Sequence, residues 1–214
     1  MKQVENLQQL KNLSFFDVSA IGQVTFLKGN YLYESIARWI NAGILLQLKK
    51  GLYTTNDFYK DLLEKDSYAE FLANKLKYPS YLSLEYVLSK NSILSESVYT
   101  YTSVTRKKPQ VFVNSIGSFS YRNISEKLFF GFEIFEKEGF EIAIASKSKA
   151  LFDYLYLKFF RKSEITKESI EELRLNLDEF SKKEIKEFAY YCNLTKISKY
   201  QKLPKLLFER YGNF

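Results

Sequence analysis

The stretch Asn30-Tyr-Leu-Tyr-Glu-Ser-Ile-Ala-Arg-Trp-Ile-Asn-Ala-Gly-Ile-Leu-Leu-Gln-Leu-Lys-Lys-Gly-Leu-Tyr-Thr54 orders a helix, a glycine stop, a strand, a Lys-Lys-Gly turn and a second strand. Leu32, Ile36 and Ile40 recur at helical spacing with Trp39 beside them, which predicts one buried stripe. Asn30 is placed to cap the helix N-terminus, Glu34 falls in the first turn, and Gly43 suits the left-handed residue after the last turn. The opposite face carries Tyr31, Glu34, Ser35 and Arg38. A helix running into a basic hairpin is how a winged helix-turn-helix ends, and that face would meet base edges and phosphates in a major groove. Lys28 and Asn30 at the helix start, with Lys49, Lys50 and Tyr53 on the hairpin, complete the candidate DNA-binding set. The same order also serves modules that bind only proteins.

Upstream, Val4, Leu7, Leu10 and Leu13 predict a short first helix, and Asp17 caps a second over Val18, Ile21, Val24 and Leu27. Lys28-Gly29-Asn30 is then the tight turn before the recognition helix, with Gly29 supplying the unusual dihedral. Thr54-Thr-Asn-Asp57 closes this module, so a winged-helix domain is expected over 1–57, a connecting helix or linker over 58–66, and a second domain over 62–214. In the second domain, helices are expected around 68–76 and from Ser83 to Leu88, the latter capped by Ser83 and preceded by Pro79. The period then changes. Val98–Thr105, Gln110–Val113, Gly117–Asn123, Lys127–Phe135 and Phe140–Ala145 read as four or five strands of a mainly antiparallel sheet. An apolar helix over 146–160 and helices near 167–175, 181–192 and 199–211 finish an α+β chain.

Composition narrows the chemistry. A formal charge of +7 permits a polyanionic partner. Only six of the basic residues are Arg, and abundant Lys, Asn, Ile, Phe and Tyr fit AT-rich coding, so the charge permits nucleic-acid binding without demanding it. Histidine is absent, which removes Ser-His-Asp and Cys-His nucleophiles and, with one cysteine, a zinc site. Cys192 lies in an apolar helical stretch and reads as a small core residue. There is no apolar run of membrane-spanning length and no signal-peptide core at the N-terminus, so a cytoplasmic protein without a membrane partner or cofactor is expected.

Gly117-Ser118 could open a nucleotidyltransferase site, but Leu128-Phe-Phe-Gly-Phe132 stands where its paired carboxylates belong. Glu141 lacks the acid-x-Lys partner of a restriction-type nuclease, and Glu184-Ile-Lys186 has that pattern on a helical, solvated face. Asp153 within Lys149-Ala-Leu-Phe-Asp-Tyr154 reads as a cap or hydrogen-bond hub. These absences predict a non-enzyme. Arg106, Lys107 and Lys108 are either a second polyanion contact or a solvated turn before Pro109.

The wing Leu48-Lys-Lys-Gly-Leu-Tyr53, the segment Pro79-Ser-Tyr-Leu-Ser-Leu-Glu85, the strand Thr102-Ser-Val-Thr-Arg106 and the junction Ile144-Ala-Ser-Lys-Ser-Lys-Ala-Leu-Phe-Asp153 together resemble the AbiEi family. That family is the antitoxin and transcriptional-regulator half of abortive-infection AbiE toxin–antitoxin systems. The resemblance implies an N-terminal winged helix on operator DNA and a C-terminal antitoxin domain. It also implies a type IV, phage-defence system, whose nucleotidyltransferase-like toxin is opposed without a stable complex. The family junction often reads Pro-Glu-Lys-Ala-Leu, where this chain has Ser146-Lys-Ser-Lys-Ala-Leu151. Arg106, Lys107, Lys108, Lys147 and Lys149 are the candidate antitoxin surface, with RNA or a nucleotide as the polyanion it would share with the toxin. The alternative is a winged-helix regulator whose C-terminal domain dimerises or senses a ligand.

Overall fold

Helix α1 (Lys2–Leu7) passes through a 3-10 turn (Gln8–Leu10) into the short strand β1 (Phe16–Asp17). The computed structural model describes residues 2–178 and 180–208. Asp17 ends β1 and caps α2 (Val18–Thr25): its carboxylate accepts from the Ala20 N–H at 2.8 Å, as its position in the sequence predicts. Phe26 at φ 61° ends α2. Helix α3 (Gly29–Asn41) starts two residues earlier than an Asn30 cap requires. Lys28 holds the cap position without a side-chain bond, and Asn30 lies inside the helix. Gly29 takes the left-handed turn at φ +58°.

The far end of α3 follows the expectation. Gly43 has φ +68°, its N–H donates to the Ile40 carbonyl, and the Ile44 N–H reaches back to the Trp39 carbonyl, each at 2.9 Å. Those two bonds are the Schellman closure that favours glycine. β2 (Leu45–Lys49) and β3 (Leu52–Thr55) pair antiparallel across Lys50-Gly51, and β3 also pairs with β1, giving a three-stranded sheet ordered β1-β3-β2. Leu7, Leu10, Phe16, Ile21, Leu32, Ile36, Trp39, Leu45 and Tyr53 form the core beneath it. The Thr55 side chain caps α4 (Asn56–Asp61), and α5 (Lys65–Lys75) follows after Leu62–Glu64.

By its contacts the chain divides within α5, between Ala69 and Glu70. One unit runs to Ala69 and takes in Phe112–Gly117, and the other holds Glu70–Val111 and the chain from Ser118 onward. The start of α5 belongs to the first unit because Tyr68 is buried there. Its ring packs 5.4 Å from Phe58 and 6.1 Å from Tyr59, and its hydroxyl donates to the Ser14 carbonyl at 2.6 Å. Within the same unit, the Asn114 amide donates to the Leu48 carbonyl at 2.8 Å and the Lys49 ammonium lies 5.9 Å over the Phe112 ring.

The second unit holds β4 (Ser80–Leu82), α6 (Leu84–Lys90), β5 (Thr100–Thr105), the first two residues of β6 (Gln110–Val113), whose last two fall in the first unit, then β7 (Ser118–Asn123), β8 (Phe132–Lys137) and β9 (Phe140–Ala145). Their sheet has six strands, ordered β6-β7-β5-β4-β9-β8. It is mixed rather than mainly antiparallel: β4–β5 and β8–β9 are antiparallel, β4–β9 and β5–β7 parallel. β4 was not expected from the sequence because its three residues are all buried and show no alternation. The expected strand from Lys127 begins as a 3-10 turn (Glu126–Leu128) and becomes extended only at Phe132. Helices α7 (Lys147–Lys158), α8 (Lys167–Glu171), α9 (Lys182–Leu194), α10 (Ser198–Gln201) and α11 (Leu203–Phe208) complete the α+β chain. The single helix expected over 199–211 is thus two short ones, and its last residues lie outside the described part.

Candidate nucleic-acid interface

α3 sorts its candidates by register. Tyr31 (75% exposed), Glu34 and Arg38 stand on the open face, with Lys28 and Asn30 exposed at its start. Ser35 does not join them. It is 2% exposed, because the buried stripe is Leu32, Ser35, Ile36 and Trp39, while Ile40 is only half-buried. Its hydroxyl instead accepts from an Arg38 Nη at 2.9 Å, so a buried residue orients an exposed guanidinium. Tyr33, 60% exposed, and Phe26, 82% exposed, add two aromatics outside the expected set. Tyr33 was open to prediction from its place outside the apolar stripe. Phe26 was not, since its exposure follows from a left-handed backbone that bulky residues rarely adopt.

On the hairpin, Lys50 is exposed at the turn, Gly51 takes φ +80°, and Lys49 is half-buried against Phe112. Tyr53 is not a surface residue. It pairs with Gln47 and Phe16, belongs to the core, and its phenol is pushed to a higher pKa by burial. The exposed set is therefore Lys28, Asn30, Tyr31, Tyr33, Glu34, Arg38 and Lys50, flanked by Lys49.

The five basic residues proposed for the second domain separate by environment. Lys107 and Lys108 are exposed in the turn after β5. Arg106 is bound to Glu126 at 2.6 Å and stacks 5.4 Å over Phe129. Lys147 pairs with Glu184 at 2.9 Å and lies 4.8 Å over Phe180. Lys149 is wholly buried and cannot form a surface. It stands one helical turn before Asp153, facing the sheet, and the two are ion-paired.

That pair is the hub of the second unit. Asp153 also accepts from the Tyr81 hydroxyl and the Ser83 hydroxyl, each at 2.9 Å. The rings of Tyr81, Phe130, Phe152 and Tyr191 lie 5.7, 5.8, 5.0 and 5.6 Å from the Lys149 ammonium. Burial pulls the amine's pKa down and the carboxyl's up, and their mutual attraction works against both shifts. Ser83 sits at the start of α6 as expected, but with its hydroxyl committed to Asp153 it makes no cap bond. Gly131 at φ +80° lets the chain pass close by: a Cβ there would come within 2.5 Å of the Tyr191 hydroxyl and 3.0 Å of Lys149 Cδ.

Cys192 is buried, and burial raises its thiol pKa. Among the described residues no cluster of three or more His, Cys, Asp or Glu side chains could hold a metal ion, and no helix is long and apolar enough to cross a membrane. Compared with known proteins, the chain matches no family model and no curated protein.

Proposed function

We propose that the first unit is a winged helix that binds duplex DNA at the chain's own promoter, and that the chain is an autorepressor. The observation that carries the reading is the pairing of Arg38 with Ser35. An exposed guanidinium held by a buried hydroxyl is oriented in advance for a base edge or phosphate. Tyr31 and Glu34 share its face, and Lys50 lies exposed at the turn of the basic hairpin that follows.

Fluorescence anisotropy on the upstream DNA tests the proposal. Arg38→Ala should change sequence preference at a cost of about 1–3 kcal/mol. Lys49→Ala/Lys50→Ala should weaken all sequences alike and flatten the salt dependence by roughly two units of slope. Retained affinity and slope in all these variants would remove α3 and the hairpin as the reading surface.

The resemblance in the second unit adds the antitoxin half of the proposal: it opposes a nucleotidyltransferase-like toxin without a stable complex. With Lys149 enclosed, the residues left to meet a shared polyanion are Lys107 and Lys108, with Arg106 and Lys147 already paired beside acids. Co-expression with the toxin from the neighbouring gene tests this half, and growth restored equally by the first unit alone would overturn it. A second reading, ligand sensing by the second unit, is favoured by one cavity there.

A further inference from the structure

A cavity of about 300 Å³ in the second unit is lined by Leu84, Glu85, Arg122, Tyr154, Leu157 and Lys158. Its wall contains a conformation that needs a cause. Leu84 is buried yet held at φ +60°, a region costly for a branched, bulky side chain. The neighbouring groups impose it. The Ser83 N–H donates to the Thr102 carbonyl at 3.0 Å, and the Thr102 hydroxyl donates to the Ser83 carbonyl at 2.7 Å. The Tyr86 N–H donates to that same hydroxyl at 3.0 Å, while the Ser83 hydroxyl is tied to Asp153. Four hydrogen bonds thus fix the backbone on either side of Leu84 and set Glu85 on the cavity wall.

The remaining walls bring two cations to the same space. Arg122, near the end of β7, is paired in register with Val104, and Lys158 ends α7. The Lys158 ammonium lies 3.3 Å from the Tyr154 hydroxyl and 5.4 Å over its ring. A fork of guanidinium donors and a point-charge ammonium suit the oxygens of a phosphate. A single carboxylate beside them would repel a second phosphate, but it accepts well from sugar hydroxyls, as acidic residues do from ribose. Tyr154, which also lines the cavity, is the aromatic group nearest to where a base would lie. We propose that this cavity binds the ribose-phosphate part of a mononucleotide, with the phosphate on Arg122 and Lys158 and the sugar hydroxyls on Glu85. The proposal stands apart from the DNA-binding reading and uses none of its residues.

Calorimetric titration of the full chain with inorganic phosphate, ribose 5-phosphate, 2-deoxyribose 5-phosphate and adenosine monophosphate tests it. Ribose 5-phosphate and the nucleotide should saturate one site and bind more tightly than phosphate, with the deoxy sugar weaker. A nucleotide tighter than the free sugar phosphate would place the base on Tyr154, and equal affinities would assign the site to the sugar phosphate alone. Arg122→Gln and Lys158→Gln should each cost roughly tenfold or more in affinity, the loss of one charge-assisted hydrogen bond. Glu85→Gln should remove the preference for ribose over deoxyribose, and Lys107→Gln/Lys108→Gln should change nothing. Promoter binding by Arg122→Gln should equal that of the parent, so failure here is separable from failure of the DNA reading. No saturable binding, or binding unchanged in Arg122→Gln and Lys158→Gln, overturns the proposal.

Discussion

Removing the Asp153 carboxylate would leave an ammonium enclosed by four aromatic rings with no counter-charge. Breaking a buried pair from one side costs about 3–5 kcal/mol, whereas replacing both partners with apolar groups is often near neutral. Asp153→Ala should therefore lower urea stability by about that much, and Lys149→Met/Asp153→Leu should recover a large part of the loss. Equal losses in the single and double variants would mean that the hydroxyls of Tyr81 and Ser83, not the ion pair, dominate the hub. Asp153 was legible in the sequence as a hydrogen-bond hub. Lys149 was legible only as a charge, and charge suggests a surface. The corrective signal was its spacing, four residues before Asp153 and beside the apolar run Ala150-Leu-Phe152. Ser35 follows the same logic: a hydroxyl reads as polar, but positions three and four residues from Leu32 and Trp39 belong to the buried stripe.

The ends of the elements follow the sequence where one residue decides, and depart from it where neighbours compete. Gly43 and Asp17 each close a helix end through their own backbone or side chain, and both lie where expected. The turn between α2 and α3 does not, because the left-handed conformation expected at Gly29 is also adopted by Phe26. An L-residue there costs about 1–2 kcal/mol relative to glycine. Phe26→Gly should thus raise the thermal midpoint of the first unit, read by circular dichroism, although it removes an aromatic ring. A lower midpoint would show that the ring's packing outweighs the backbone strain. In the second unit, β4 was missed because a short strand buried on both sides carries no period, and its parallel pairing with β9 is set by distant residues. The β-rich runs around it were visible because they alternate or are bounded by turns.

Across the whole molecule, the tyrosines that close the cores set the alkaline limit of stability. Burial raises the phenol pKa of Tyr68, Tyr81, Tyr121, Tyr156 and Tyr191, and pushes that of Tyr200 up to about 12. A raised pKa means that the folded chain holds the proton more tightly. The stabilisation is complete below the unfolded value of about 10 and is lost as pH climbs from there towards 12. Denaturation midpoints should therefore fall steeply above pH 10, with the buried phenols ionising only as the chain unfolds, seen at 295 nm. A second prediction concerns the chain's weak point. Leu63 is 93% exposed between α4 and α5, and Glu64 and Lys65 are also exposed, whereas Tyr68 is fastened to the first unit. Limited proteolysis should begin at 62–65, within the polar region expected from the sequence but ahead of the division inside α5. First cuts elsewhere would place the least protected backbone in another segment.

Phe112–Gly117 belongs to the first unit although residues 70–111 precede it in the chain. A ribosome delivers the chain in order, so this unit cannot be finished when its own helices and hairpin have emerged. About 48 further residues must follow, which at a translation rate of roughly 5–20 residues per second takes about two to ten seconds. Through that interval the Asn114 amide that donates to the Leu48 carbonyl in the folded unit has not yet been made. A nascent chain halted before residue 112 would carry the α3 face on an unfinished unit.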